Sequence, residues 1–119
     1  MNPRLLGAFG ESVAAAYYRE RGYQVERANY RTRQGEVDLI VAKDGALVFV
    51  EVKTRGPGAL GAPGEAVTPQ KQRRLAAAAK AYLSQKNCAD QSCRFDVVEV
   101  RVDETDEPHL HCIENAFTL

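Results

Sequence analysis

The pattern of apolar and polar residues predicts two helices and five strands, in the order α-β-β-β-α-β-β. The first helix begins near Pro3 and ends before Gly22, because proline favours the first helical turn and glycine favours the end of a helix. Five of its side chains recur at a helical period and should face the core: Leu6, Phe9, Val13, Ala16 and Tyr17. The second helix extends over 69–86, with Thr68 as the N-cap.

Strands are predicted at 23–30, 36–43, 46–54, 93–102 and 109–114, and a loop rich in glycine and proline is predicted at 56–64. The second helix is long enough to carry the chain over the sheet, so strand 93–102 should run parallel to strand 46–54. The prediction is an α/β fold with a central mixed sheet flanked by helices. At 119 residues the chain should form one domain, spanning 1–119.

The dipeptide Asp44-Gly45 between two apolar runs predicts a tight hairpin, because both residues tolerate a positive φ. The hairpin fixes which residues face each other across the two strands. Val37 should lie opposite Val52 on the core face, together with Leu39, Val50, Val41 and Val48. On the other face, Asp38 should lie opposite Glu51, and Glu36 opposite Lys53.

Two carboxylates directly opposite in a strand pair destabilise it unless something compensates, since their Cβ atoms lie ~4.5–5.5 Å apart. Protonation of one acid, a cation from the protein or a divalent metal would each relieve the repulsion. Mg²⁺ prefers such oxygen ligands, and Lys53 on the same face could orient water. The alternative is an ion-pair cluster, in which Glu36 pairs with Lys53, and Asp38 or Glu51 pairs with Arg31, Arg33 or Arg55.

Composition adds little to this picture, because 45% apolar and 27% charged residues are ordinary for a globular chain. No apolar run approaches the ~20 residues that span a bilayer, and the start does not resemble a signal peptide, so a cytoplasmic protein without membrane contact is expected. Charge is divided unevenly. Residues 1–86 contain 14 Lys and Arg against 8 Asp and Glu, and residues 87–119 contain 2 against 8. The basic part is compatible with a polyanionic partner.

Three cysteines, Cys88, Cys93 and Cys112, are an odd number for a disulfide framework and are expected to be free thiols. A zinc site formed by these cysteines with His109 and His111 is the alternative, although the spacing is not C-x-x-C. Asp96, within an apolar strand, is expected to be a structural hydrogen-bonding acid rather than a metal ligand.

Asp38 followed by Glu51-x-Lys53 resembles the signature of PD-(D/E)xK nucleases, the restriction-endonuclease-like superfamily. The segments GEVDLI (35–40), VFVEVKTR (48–55) and AVTPQKQRRL (66–75) together resemble the YraN-like family of small bacterial proteins. Members of that family are regarded as nucleases related to archaeal Holliday-junction resolvases. The resemblance runs from GAFGES near the start to FDVVEV near the end, and Val37 replaces the proline of the signature.

The resemblance implies a restriction-endonuclease-like fold and Mg²⁺-dependent hydrolysis of phosphodiester bonds, with Mn²⁺ able to substitute. Asp38, Glu51 and the backbone carbonyl of Val52 would bind the metal, and Lys53 would be the catalytic lysine. Glu11 matches an additional acid of resolvase-like members and is assigned to the site on that ground; the alternative is a solvated glutamate on the helix face.

Several basic and polar residues are predicted to contact DNA through its phosphate backbone: Gln70, Lys71 and Arg74 in or near the first turn of the second helix, Arg31 and Arg33 before the Asp38 strand, and Arg55 after Lys53 on the opposite face of the pleat. Kinship suggests branched or flapped DNA as the substrate. The alternative function is a non-catalytic nucleic-acid-binding or adaptor module with the same fold. A homodimer or an unidentified protein partner is also compatible with the sequence.

Overall fold

A computed structural model describes residues 1–58, 67–88 and 90–118 of the chain. Its elements are α1 (Pro3–Glu20), β1 (Gln24–Arg31), β2 (Glu36–Lys43), β3 (Ala46–Arg55), α2 (Pro69–Gln85), β4 (Cys93–Val102) and β5 (Pro108–Ile113). The order predicted from the sequence is confirmed. Most of the loop predicted at 56–64 lies outside the described residues.

The five strands form one sheet in which each strand lies beside its neighbour in sequence. Three of the four strand pairs are antiparallel, and β3 and β4 are parallel. A parallel connection needs a crossover, and α2 lies in the chain between these two strands. The predicted mixed sheet and its parallel pair are therefore confirmed.

The β2–β3 hairpin closes through Asp44-Gly45, as predicted. Asp44 has φ 52° and Gly45 has φ 79°, and Lys43 pairs with Ala46 across the turn. Two consecutive residues with positive φ match the twist of the flanking strands. The pairing then continues without a break to Leu39 and Val50.

Helix α1 covers one face of the sheet by packing small residues closely against it. Ala14, Ala15 and Tyr18 are buried, whereas Ala16 is exposed, so the prediction for Ala16 was wrong. The buried stripe follows the helical spacing of Gly10, Ala14 and Tyr18, which leaves Ala16 on the outer side. Gly10 allows the helix to approach closely, because an added Cβ would lie 1.8 Å from Oγ1 of Thr54 in β3. The valine-rich side of the central strands completes this core: Leu39, Val41, Val48, Val50, Val98, Val100 and Val102.

Asp96 in β4 is fully buried under α1 and is satisfied by hydrogen bonds. The Tyr18 hydroxyl donates to its Oδ2 at 2.7 Å, Nε of Arg94 donates to its Oδ1 at 2.9 Å, and the backbone N–H of Asn115 donates to Oδ1 at 3.0 Å. A buried carboxylate is tolerated when it is paired and hydrogen-bonded in this way. The structural role predicted for Asp96 is confirmed.

Helix α2 covers the other face. Thr68 is its N-cap, and its Oγ1 accepts from the backbone N–H of Lys71 at 3.2 Å. The buried stripe of the helix consists of Leu75, Ala78, Ala79 and Tyr82, which pack with Tyr30, Val37, Ile40, Leu47 and Phe49 of the sheet. Neither helix of the described residues has the combination of length and apolar character that crossing a membrane requires.

Candidate active site

Asp38 lies where the regular pairing of β2 with β3 ends. The hairpin ladder reaches Leu39 and Val50, and beyond it Oδ2 of Asp38 accepts a hydrogen bond from the backbone N–H of Val52 at 2.7 Å. The Asp38 side-chain oxygen thus bonds to β3 at the point where a backbone carbonyl of β2 would do so if the ladder continued. Asp38 was expected to lie directly opposite Glu51. The regular ladder ends one pair before these two residues, and the Asp38 carboxylate reaches the backbone of Val52, next to Glu51.

The face predicted for Val37 was wrong. Val37 packs in the α2-side core, whereas Leu39, two residues later, packs in the α1-side core. Residues two apart share a face in a regular strand, so the alternation breaks at Asp38. Asn29, between the β1 residues that pair with Val37 and Leu39, has a left-handed φ of 52°. The irregularity therefore crosses both strands and turns Asp38 towards β3.

The two acids of the hairpin are half-buried and repel each other. Burial, followed by repulsion from Glu51, raises the pKa of Asp38 to about 7, and the hydrogen bond from the backbone N–H of Val52 opposes the shift. Burial also raises the pKa of Glu51, while the ammonium groups of Lys71 and Lys53 favour its ionised form. A cation between the two carboxyl groups would offset both effects.

The N-terminal end of α2 forms a cleft over this part of the sheet. The cleft has a volume of about 400 Å³, and its lining residues are Glu36, Glu51, Thr68, Gln70, Lys71 and Arg74. Three residues that were predicted from the second helix to contact phosphate therefore line the same cleft as one of the predicted metal ligands. Backbone N–H groups at a helix N-terminus add partial positive charge there.

Gly35 sets how closely α2 approaches β2. It is buried, and an added Cβ would lie 1.8 Å from the backbone carbonyl oxygen of Arg74. The turn before it is fixed by Thr32, whose Oγ1 accepts from the N–H groups of Gln34 and Gly35 at 3.2 and 3.1 Å. The glycine of the GEVDLI segment is therefore required for close packing of the helix that carries the cationic side of the cleft.

The remaining predicted site residues are spread around this centre. Arg31 is exposed and its Nε lies 3.4 Å from Oε2 of Glu36, and Arg33 is exposed in the following turn. Arg55 was expected on the face opposite Lys53, but β3 continues to Arg55, so residues 51, 53 and 55 share one face. Glu11 in α1 adds a smaller repulsion to both hairpin acids.

No group of three or more His, Cys, Asp or Glu side chains in the described parts of the chain is close enough to hold a metal ion. A metal at the hairpin acids would therefore depend on two carboxylates with backbone and water oxygens. The zinc alternative is not supported, because all five of its residues are among those described and they do not form such a group. Cys88, Cys93 and Cys112 are free thiols, as expected.

Two charged residues of β4 were missed by the sequence reasoning. Glu99 lies beside Lys53 and Arg101 beside Arg55 in the parallel β3–β4 ladder. Their signal is the alternation V-E-V-R-V, which places both on the face away from the α1-side valines. The alternation places these two residues near Lys53 and Arg55 only when the alignment of β4 with β3 is known.

Comparison with known proteins places the chain in a family. The model of "Uncharacterised protein family UPF0102" matches residues 10–100. A UPF0102 protein of Geobacter sulfurreducens is 48% identical over 117 residues, covering 98% of this chain and 91% of the relative. One from Symbiobacterium thermophilum is 47% identical over 114 residues, covering 96% and 97% of the two chains.

The chain belongs to the UPF0102 family. The YraN-like family suggested by the three sequence segments is this family, so that prediction is confirmed. The matched part of this UPF0102 protein contains every site residue predicted from the sequence, from Glu11 to Arg74.

Proposed function

We propose that this UPF0102 protein is a metal-dependent nuclease that hydrolyses phosphodiester bonds in DNA, with branched or flapped DNA as its substrate. The observation that supports this most is the pair of repelling, half-buried acids Asp38 and Glu51, with Lys53 on the same strand face as Glu51. Burying two like charges side by side costs stability, and a catalytic metal site gives a reason to retain them.

The donor set fits Mg²⁺ or Mn²⁺. Asp38, Glu51 and the backbone carbonyl of Val52 offer oxygen ligands, which hard cations prefer, and water or substrate oxygens would complete the shell. Glu11 is proposed to move in from the adjoining helix as a further ligand when the metal binds, since no three acids of the described residues already lie close enough to share one ion. When bound, the ion would polarise the scissile phosphate and lower the pKa of a coordinated water.

The chain's own side chains would position the reactants. Lys53 would orient the attacking water and offset the negative charge that develops on the phosphate. Gln70, Lys71 and Arg74 would bind the phosphate backbone in the cleft at the start of α2. Because these contacts go to phosphates, recognition would depend on DNA shape, and affinity would fall steeply as salt rises.

The test is a cleavage assay on linear, flapped and four-way DNA of matched sequence with Mg²⁺ or Mn²⁺. Lys53→Ala should reduce the rate at least about 100-fold, because one positioned charge-stabilising group contributes on that order. Lys80→Ala removes an exposed lysine from α2 and serves as the matched control with unchanged activity.

Equal cleavage by wild type and Lys53→Ala would show that the activity does not come from this site. Binding of all three DNAs without cleavage, under every metal condition, would instead favour the non-catalytic nucleic-acid-binding module. The first result would mean that the catalytic site was assigned to the wrong residues, and the second that the protein binds DNA without hydrolysing it.

A further inference from the structure

Lys71 faces Glu51 across the cleft at the start of α2. It is exposed in the first turn of the helix, where its backbone N–H donates to Oγ1 of Thr68 at 3.2 Å. This hydrogen bond fixes the point from which the side chain starts, whereas the four-carbon stem and its ammonium group keep their flexibility. Lys71, Glu51 and Glu36 line the same cleft, so the ammonium and the two carboxylates share one space of about 400 Å³.

Glu51 needs a cation near it, because it is half-buried and is repelled by Asp38. A carboxylate that is partly removed from water is stable as an anion only when charges or hydrogen bonds compensate it. Burial raises the pKa of Glu51, and among the charges around it the Lys71 ammonium opposes that rise most strongly, ahead of Lys53. More of the compensating charge therefore comes from across the cleft than from the strand that carries Glu51.

A divalent ion at the two acids would compete with Lys71 for the same negative charge. Two carboxylates balance one divalent ion, so an ammonium that stays beside them adds positive charge that the ion repels. A phosphate in the cleft is the alternative partner, because an ammonium on a flexible stem can turn to it while the helix stays in place. Gln70 and Arg74 line the same cleft and can donate hydrogen bonds to that phosphate.

We propose that Lys71 neutralises Glu51 while the site holds no divalent ion, and turns to a DNA phosphate once such an ion is bound. This inference rests on the proposed nuclease function and adds a coupling between its two ligands. Each ligand then favours the other: the metal releases Lys71 to the phosphate, and the phosphate draws Lys71 away from the metal site. Coupling of this kind is reciprocal, so it can be measured from either ligand.

The first measurement is a titration of the full chain with Mn²⁺ in the absence of DNA, followed by electron paramagnetic resonance of the unbound ion. Lys71→Gln should bind Mn²⁺ about 3–10-fold more tightly than the wild type, because a competing positive charge has been removed from a partly exposed site. Lys71→Arg keeps the charge and should stay within about 2-fold of the wild type. Lys80→Gln, which changes an exposed lysine elsewhere on α2, is the matched control with unchanged affinity.

The second measurement is fluorescence anisotropy of labelled linear duplex DNA over a series of NaCl concentrations, once in EDTA and once in Mn²⁺. In Mn²⁺, Lys71→Gln should reduce the slope of log K against log[NaCl] by about 0.9, the value for one lost phosphate contact. In EDTA its slope should equal that of the wild type, because Lys71 is then engaged with Glu51. Wild-type Mn²⁺ affinity for Lys71→Gln, with a native circular dichroism spectrum, would overturn the inference, as would an equal loss of slope in both buffers.

The two proposals fail differently. If Lys71→Gln binds Mn²⁺ more tightly and loses slope only in Mn²⁺, but the wild type cleaves no DNA, the exchange of Lys71 is supported and the hydrolysis is not. If the wild type cleaves DNA and Lys71→Gln binds Mn²⁺ as the wild type does, the hydrolysis stands and the exchange is wrong. Absence of Mn²⁺ binding in both proteins would overturn both proposals.

Discussion

Replacing Asp38 with asparagine should stabilise the protein at alkaline pH, which is unusual for a change at a buried polar residue. The amide is close in shape to the carboxyl group, and its oxygen can still accept the hydrogen bond from the backbone N–H of Val52. It cannot ionise, so the variant avoids the burial and the repulsion from Glu51 that penalise the carboxylate.

The magnitude follows from the pKa of Asp38, which burial and Glu51 raise from 3.8 to about 7. The folded state binds this proton more tightly than the unfolded state, so the free energy of unfolding falls as pH rises from about 4 to about 7. Each pKa unit corresponds to about 1.4 kcal/mol, which gives about 4 kcal/mol as an upper limit at pH 8. Because the side chain is partly exposed, we expect Asp38→Asn to be about 2–3 kcal/mol more stable than the wild type at pH 8. At pH 4 the two should agree within about 1 kcal/mol.

Urea denaturation followed by circular dichroism at pH 4, 6 and 8, in EDTA, measures this difference. Titration of carboxyl groups that do not interact with Asp38 cancels between the two proteins, leaving the contribution of Asp38 and of its repulsion with Glu51. Glu20→Gln is the matched control, because Glu20 is exposed at the end of α1 and its change should stay within about 0.5 kcal/mol. Equal destabilisation by Asp38→Asn at pH 4 and pH 8 would refute the reasoning. It would mean that the carboxylate is satisfied within the protein, as in the ion-pair alternative.

Three further predictions concern the metal and the close contacts. At pH 8, 10 mM Mn²⁺ should raise the melting temperature of the wild type and leave that of Asp38→Asn unchanged; an equal rise in both would place metal binding elsewhere. Gly35→Ala should destabilise the protein by about 1–3 kcal/mol in urea melts and weaken DNA binding, because its Cβ would meet the backbone of α2. In α1, Gly10→Ala should lower the free energy of unfolding by about 1–3 kcal/mol, because its Cβ would clash with Thr54. Gly7→Ala should raise the free energy of unfolding by about 0.5–1 kcal/mol, because nothing lies within 4 Å of its Cβ and alanine favours the helix. Similar melts for the two α1 variants would contradict this packing.

Local chemistry made much of the fold predictable. The turn of the hairpin follows from Asp44-Gly45, and the two strands that it joins follow from the apolar runs on either side of that dipeptide. The start of α2 follows equally from Thr68 and Pro69, a cap and a first-turn proline that need no tertiary contact. These features were predicted correctly because a few neighbouring residues determine each of them.

The predictions that failed concern places where tertiary contacts override a local sequence pattern. The break at Asp38 involves the left-handed Asn29 in another strand, which no alternation within β2 could indicate. In α1, Leu6, Phe9, Val13 and Tyr17 pack against the core as predicted, and only Ala16 was misplaced, because close packing selected Ala14 and Ala15. Strand alternation alone would have placed Arg55 correctly, and Glu99 required the alignment of β4 with β3.

The sequential order of the strands has a consequence for how the protein folds. Asp38, Glu51 and Lys53 lie on one hairpin, which can form early because its ends are close in sequence. The β3–β4 pair forms across the long crossover, so closing that loop costs more entropy and should follow later. We therefore expect the repulsion between Asp38 and Glu51 to be present before Arg101 and Glu99 of β4 have paired with β3. A divalent ion would speed formation of the hairpin rather than the later pairing of β3 with β4.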